Sequence, residues 1–343
     1  MIKMWQISLM LHAFALVKQN LASNGSFSFP RNHVRLSSLL VSMSQEQDDA
    51  DLSKDVAVYG ENMDQLDMME KDLLICVDGN DVPVGKMSKK EAHAFGLATP
   101  RGWVHRAFSV FLFNDKGEML ITKRASNKIT FPDVWTNACC SHPLWGQIPN
   151  EVDDKSIESY PDKQPTGVKY AAIRKLLHEL GIEKGFINVN DLRFLTRFHY
   201  WAADTVTYKD SEQNPCPWGE HEIDYILFCQ CKDPASQPVI NANPDEVGDF
   251  KYVSIEELKE MMYSEDSENG IILWSPWFRG IMEKGGFEMW ENLSEALEEN
   301  SRFCNSNITY FNPPVEHTAS YNLESHSRED TGIISSSSSH AEV

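Results

Sequence analysis

The sequence predicts an α/β (α+β) fold, a mixed β-sheet core flanked by helices, with extra N-terminal strands and C-terminal helices. Three observations predict it. Residues 73–85 and 105–122 each set β-branched, aliphatic and aromatic residues around a turn, Asp78-Gly79-Asn80-Asp81 in the first and Asn114-Asp115-Lys116-Gly117 in the second. Residues 167–182 then change period, with Ala171, Ala172, Leu176 and Leu180 three to four apart and Gly181 as a left-handed stop. Further strand-like runs follow that helix, so the elements alternate.

Composition bounds the class of protein. A hydrophobic content of 41% with 10% aromatic residues over 343 positions excludes wholesale disorder. The formal charge of −20 excludes a general nucleic-acid partner, because phosphate backbones are gripped by excess Lys and Arg. A small phosphorylated substrate would need a local basic pocket or a metal to overcome that field. The cysteines (Cys76, Cys139, Cys140, Cys216, Cys229, Cys231, Cys304) are odd in number and widely spread, which predicts free thiols. No CxxC pair occurs, so a structural zinc module is not expected.

Taken in order, residues 1–45 carry Lys3, Lys18, Arg31 and Arg35, no acid, and many serines, which is a targeting composition. The apolar run at 2–17 is shorter than the roughly 20 residues a membrane span needs, so no stable span is expected. The location read from this is cytoplasmic or organellar, plastid or mitochondrion. Residues 46–72 invert to an acidic linker or N-terminal helix, and the main domain is placed at 73–299. Lys86 to His93 reads as a polar, basic segment.

Thr136-Asn137-Ala138-Cys139-Cys140-Ser141-His142-Pro143-Leu144 is the first stretch that suggests chemistry. Pro132 before it and Pro143 within it oppose helix, so both thiols sit on extended or looped backbone. A thiol is reactive when its pKa is tuned and an inert small hydrophobe otherwise, and buried pairs are more often inert. Residues 145–166, acidic and with Pro149, Pro161 and Pro165, read as a surface loop. After the helix come a strand at 192–200, a polar loop at 204–217 and a strand at 218–228. On that last strand Glu220, Glu222 and Asp224 share one face, and His221, Ile223 and Tyr225 the other. A row of carboxylates repels itself, so it is either solvated at an edge or neutralised by a metal or bases. A strand near 250–253 precedes a capping box from Ser254 to Glu257, and Trp274-Ser275-Pro276-Trp277 opens an amphipathic helix running to about Leu297. Residues 300–343, ending in Ser335 to Ser339, are read as a disordered Ser-rich tail.

Within the helix, Arg174-Lys175-Leu176-Leu177-His178-Glu179-Leu180-Gly181-Ile182 resembles a degenerate Nudix box. Lys175 and His178 stand where two of the three metal-gathering acids of a Nudix hydrolase would be, and only Glu179 remains. Losing those carboxylates removes most of the hard oxygen ligands a hydrolytic magnesium cluster requires. Together with the Cys-Cys-Ser-His-Pro-Leu stretch and Trp218-Gly219-Glu220-His221-Glu222-Ile223-Asp224-Tyr225, the helix resembles the type I isopentenyl-diphosphate delta-isomerases over about 73–297. Ala138, the long loop at 145–166, the insertion at 204–217 and both terminal extensions depart from the family pattern without removing a motif residue.

The resemblance implies a Nudix-like fold that converts isopentenyl diphosphate to dimethylallyl diphosphate. It implies Cys140 and Glu222 as catalytic residues, with Tyr200 and Trp277 as aromatic pocket residues. His93, His105, His142, Glu220 and Glu222 would ligate one divalent metal (Zn, Mn or Mg), and Glu179 would hold Mg²⁺ with substrate oxygens. Lys89, Arg124, Lys128 and Lys175 would face the diphosphate. The implied partner is the small isoprenyl diphosphate substrate, with no nucleic acid, and the chain is expected to be a monomer. The competing reading is a Nudix hydrolase of a nucleoside diphosphate derivative, which the helix favours and Lys175 and His178 oppose.

Overall fold

A computed structural model of the chain describes residues 59–60, 63–96, 98–208, 217–263, 272–314 and 317. The targeting-like segment 1–45 and residues 46–58 of the acidic stretch lie outside the described residues. The first described helix, α1 (Gln65–Lys71), is capped by Asp64 and buries Met68 and Met69. It leads into the antiparallel pair β1 (Leu73–Val77) and β2 (Pro83–Ser88). The segment read as merely polar and basic is thus divided between β2 and α2 (Lys89–His93), whose start is fixed by a capping box between Ser88 and Glu91. That short helix ends on His93, buried completely.

The centre of the sheet is β3 (His105–Phe113), which pairs antiparallel with β1 and with the short β6 (Cys139–Ser141). Its other edge runs parallel to β8 (Gly219–Gln230), which is antiparallel to β7 (Arg193–Ala203). A second wing is built on β4 (Met119–Arg124), antiparallel to β5 (Trp135–Asn137) and β9 (Val247–Val253). The sheet is therefore mixed, as expected.

Alternation along these strands makes two cores. Phe108, Val110 and Leu112 of β3, with Ile223, Tyr225 and Leu227 of β8, pack under α3 (Gly167–Leu180). Phe111 and Phe113, with Ile226 and Phe228, pack on the opposite face against α4 (Ile255–Tyr263) and α5 (Pro276–Ile281). The α3 stop falls on Gly181 at φ 65, and Ile182 N–H bonds back to the Leu176 carbonyl at 3.3 Å.

Several expectations are corrected. The loop at 145–166 is not only surface: Asp153 is buried and accepts from the Gly167 and Val168 N–H groups at 3.0 and 2.8 Å, capping α3, while Glu151 pairs with Arg174 at 2.7 Å. The single helix expected to run to Leu297 is broken after α5 by a π turn (Met282–Gly286) with Gly285 at φ 143, then continues as α6 (Phe287–Glu291) and α7 (Leu293–Ala296). Residues 300–314 are not tail. Phe311 is buried beside Phe198 and Tyr200, and β10 (Ile308–Tyr310) runs parallel to β7 as an added edge strand. Few apolar residues suffice there, because each meets a prepared sheet edge. Ser335 to Ser339 lie outside the described residues.

Candidate active site

Register builds the site. On β8, Glu222 lies opposite His105 of β3 on one side and Tyr200 of β7 on the other. The strand is central, so the solvated-edge alternative for its acidic face is excluded: Glu220, Glu222 and Asp224 are all buried. His93 comes from the end of α2 and His142 from just beyond β6. Each of His93, His105, His142, Glu220 and Glu222 offers one ligand atom, and these atoms lie within 4.8 Å of one another.

The donor accounting favours a cation among them. His93 Nδ1 lies 2.7 Å from the Lys89 carbonyl and His105 Nδ1 lies 2.7 Å from the Trp103 carbonyl. A carbonyl only accepts, so both Nδ1 atoms carry the proton and, in the neutral rings, both Nε2 atoms present lone pairs. Yet His93 Nε2 is 2.6 Å from Glu220 Oε2, and His105 Nε2 is 3.6 Å from Glu222 Oε1. His142 Nε2 adds a third imidazole 2.7 Å from Glu222 Oε1. Lone pairs facing carboxylates at such distances need positive charge between them, and a divalent ion fits the donor set.

Burial sets the protonation of His93 and His142. It pushes His93 down and His142 well down from the ordinary imidazole value, with neighbouring imidazoles adding to the effect on His142 and Glu220 opposing it. His221, buried on the other sheet face, is also driven well down by burial, and His178 to about 3. Their unfolded-state values near 6.5 exceed the folded ones, so the unfolded chain binds more protons in that window. Stability from these rings is present above about pH 6.5 and is lost as pH falls toward 3. The thermal midpoint is therefore expected to fall steadily below about pH 6.5 in scanning calorimetry, and replacing His178 with a neutral residue should flatten that slope.

The cluster floors a pocket lined by Lys89, Arg124, Lys128, Lys175, Cys140, Tyr200 and Trp277, together with Thr130, Ser141, His142, Glu179, Glu220 and Glu222. The two thiols separate here. Cys139, opposite Val110, turns into the core under α3, while Cys140, opposite Ser109, turns into the pocket. Burial pushes the Cys140 thiol up to about 12, with Arg124 opposing, so it carries its proton at neutral pH. Burial works against the Glu222 charge, but positive charge on the His105 side and the Tyr200 hydroxyl more than offset it and hold its carboxyl below the usual range. Asp224, one step along, behaves differently: burial and the Glu222 charge raise it well, and its partner is the Ser109 hydroxyl at 2.8 Å.

The basic side chains are held by acids and carbonyls. Lys128 Nζ lies 2.5 Å from Glu246, and Lys175 Nζ lies 3.1 Å from Glu179 and 3.9 Å from Glu246. Burial lowers Lys128 to about 8, whereas for Lys175 the two glutamates outweigh burial and raise it. Arg124 donates from Nε to the Phe131 carbonyl and from Nη2 to the Thr130 carbonyl, 2.9 and 2.8 Å, so the 125–134 loop fixes its guanidinium.

A sequence model of the NUDIX domain matches residues 103–273. Among curated proteins, the isopentenyl-diphosphate delta-isomerase IDI1 of Gibberella zeae is 42% identical over 240 residues, 70% of this chain and 83% of that one. The isopentenyl-diphosphate Delta-isomerase of Dictyostelium discoideum is likewise 42% identical, over 68% of this chain and 88% of its own. The chain belongs to the isopentenyl-diphosphate delta-isomerase family. A further relative, the chloroplastic isopentenyl-diphosphate Delta-isomerase 1 of Cannabis sativa, is 37% identical over 82% of this chain and 91% of its own. Among the described residues no helix is long and apolar enough to cross a membrane.

For a member of the isopentenyl-diphosphate delta-isomerase family, the departures in the Nudix helix now have a structural account. Lys175 sits between Glu179 and Glu246, and His178 Nδ1 lies 3.0 Å from Lys175 Nζ, so the positions that hold acids in a hydrolase carry a cation and its neighbour. Every residue picked from the sequence for the isomerase site lies in the pocket or in the cluster beneath it. Thr130, Ser141 and Glu246 were missed. Ser141 had a signal, standing inside the Cys-Cys-Ser-His run; Glu246, 118 residues from Lys128 in an unremarkable Asp-Glu-Val, had none.

Proposed function

We propose that this pocket performs the isomerisation of isopentenyl diphosphate to dimethylallyl diphosphate with Cys140 and Glu222 as its acid–base pair. The observation that carries this assignment is a thiol and a carboxyl lining one pocket with an indole and a basic cluster; burial favours the protonated thiol, and the surroundings of Glu222 favour the ionised carboxyl. Moving the double bond adds a proton at one carbon and removes one from another, through a state with tertiary carbocation character. It needs an acid, a base, exclusion of water and an electron-rich wall that does not attack the cation. Trp277 supplies the wall, worth about 2 kcal/mol when desolvated, and Phe131 meets its ring edge-on at 5.3 Å. Tyr200, hydrogen-bonded to Glu222, fixes that carboxyl.

Lys89, Arg124, Lys128 and Lys175 face the diphosphate, with Glu179 placed to hold Mg²⁺ against its oxygens. His93, His105, His142, Glu220 and Glu222 would hold one divalent ion, which when bound compensates the two glutamates and polarises Glu222. The enzyme acts as a monomer, with its catalytic domain beginning near Leu73. The location is cytoplasmic or organellar, the acid-free segment 1–45 having a targeting composition and the Cannabis sativa relative being named chloroplastic.

Proton NMR of isopentenyl diphosphate with enzyme and Mg²⁺ in D₂O tests the reading. Dimethylallyl diphosphate should form with deuterium at the isomerised positions, and Cys140→Ala should slow it by roughly 10²- to 10³-fold. Absence of both product and exchange, or an unchanged rate without the thiol, would overturn it.

A further inference from the structure

Behind the pocket the hydroxyl of Thr136 joins four groups, and its hydrogen bonds can be assigned by elimination. Trp277 Nε1 lies 3.0 Å from Thr136 Oγ1, and an indole N–H only donates. Asn137 Nδ2 donates to the Val110 and Cys139 carbonyls at 3.1 and 2.8 Å, which fixes its amide so that Oδ1, 3.0 Å from Thr136 Oγ1, accepts. The Thr136 proton therefore goes to Asn137. Ser275 Oγ, also 3.0 Å away, is left to donate into Thr136. Both lone pairs and the proton of Thr136 are then used, in a site where Thr136, Asn137, Ser275 and Trp277 are all buried.

Cys140 Sγ lies 3.8 Å from the same oxygen. Its S–H has no lone pair to point at there.

We propose that Thr136 is a positioning residue for the isomerisation: its saturated hydroxyl ties the Trp277 indole to β5, which leads directly into the strand carrying Cys140, and turns the Cys140 S–H proton into the pocket. This rests on the acid–base role given to Cys140 above. One oxygen then sets two of the distances the reaction depends on, that of the cation wall and that of the thiol. Thr136 is not among the residues lining the pocket, so its loss should act on turnover rather than on binding.

The test uses full-length enzyme and compares wild type with Thr136→Val, Thr136→Ser and Ser275→Ala. Steady-state kcat and KM are measured beside the Kd of isopentyl diphosphate, the saturated analogue that cannot isomerise. Thr136→Val keeps the shape and is expected to lower kcat about 100-fold, with KM and the analogue Kd unmoved, while Thr136→Ser restores turnover. Ser275→Ala frees one lone pair on Thr136 for the thiol and is expected to lower kcat by roughly tenfold, with KM held. Should Thr136→Val fail to fold, Ser275→Ala and Thr136→Ser decide alone. Wild-type kcat in Ser275→Ala, a Ser variant as impaired as the Val one, or losses that follow the analogue Kd would each overturn the proposal. Wild-type enzyme that makes no dimethylallyl diphosphate would instead overturn the isomerase roles on which it rests.

Discussion

Glu222→Gln is expected to lower kcat by about 10⁴-fold or more, the loss of the proposed acid–base group adding to the loss of the proposed anionic metal ligand. Glu222 lies 2.7 Å from His142, 3.6 Å from His105, and takes the Tyr200 hydroxyl as well. An amide of the same shape turns one acceptor into a donor, so either Tyr200 or the imidazole side must lose its partner. The basic side chains proposed to face the diphosphate are untouched, so KM should change far less than kcat. Steady-state kinetics combined with elemental analysis of the purified variant separates the two contributions. Excess divalent metal should recover only the part due to lost ligation, and a kcat within tenfold of wild type would remove Glu222 from the chemistry.

How much of this was legible in the sequence varies with the range of the interactions concerned. The α3 stop at Gly181 and the capping box at Ser254 are local, and both stand where the sequence put them: Glu257 N–H bonds to the Ser254 hydroxyl at 3.2 Å and the Glu257 carboxylate to the Ser254 N–H at 2.7 Å. The acidic face of β8 was legible as a face, because alternation is a property of a strand alone, but its depth was not. Burial of Glu220, Glu222 and Asp224 depends on β3 and β7 lying on either side, a fact of topology.

The candidate site residues were legible through motif resemblance, since His93, His105 and His142 carry no mark of a shared site when read singly. What motifs left out is the support. Glu246 holds Lys128 and approaches Lys175 from a loop before β9, and in the sequence Thr136 reads only as the start of a cysteine motif. Both act through side chains distant in sequence, and neither residue type is distinctive. The C-terminal boundary failed for a related reason: Ile308 and Tyr310 are too sparse to form a core of their own, yet they meet an exposed edge of β7.

Asp81→Asn is expected to destabilise the protein by about 3–5 kcal/mol, the cost of stripping a buried ion pair of one partner. In the sequence Asp81 ends a hairpin turn, and at φ 66 it adopts the left-handed conformation that Asp tolerates. Its side chain, however, points inward. Arg106 donates to Oδ1 at 2.8 Å, Arg197 to Oδ2 at 2.6 Å, and the Tyr225 hydroxyl also reaches Oδ2. Arg106 is 1% exposed and Arg197 7%, so neither guanidinium can turn to water when the carboxylate charge goes. Asparagine preserves the turn and keeps one acceptor, but sets an amide N–H₂ against a remaining donor. The hub joins β3, β7 and β8, the strands that carry His105, Tyr200 and Glu222, so its loss loosens the frame of the site while removing nothing from it. The expected result is a midpoint lower by roughly 10 °C for a domain of this size, with near-normal kcat at temperatures where the variant stays folded. Urea denaturation followed by tryptophan fluorescence checks it, and a loss below about 1 kcal/mol would show that the two arginines are neutralised without Asp81.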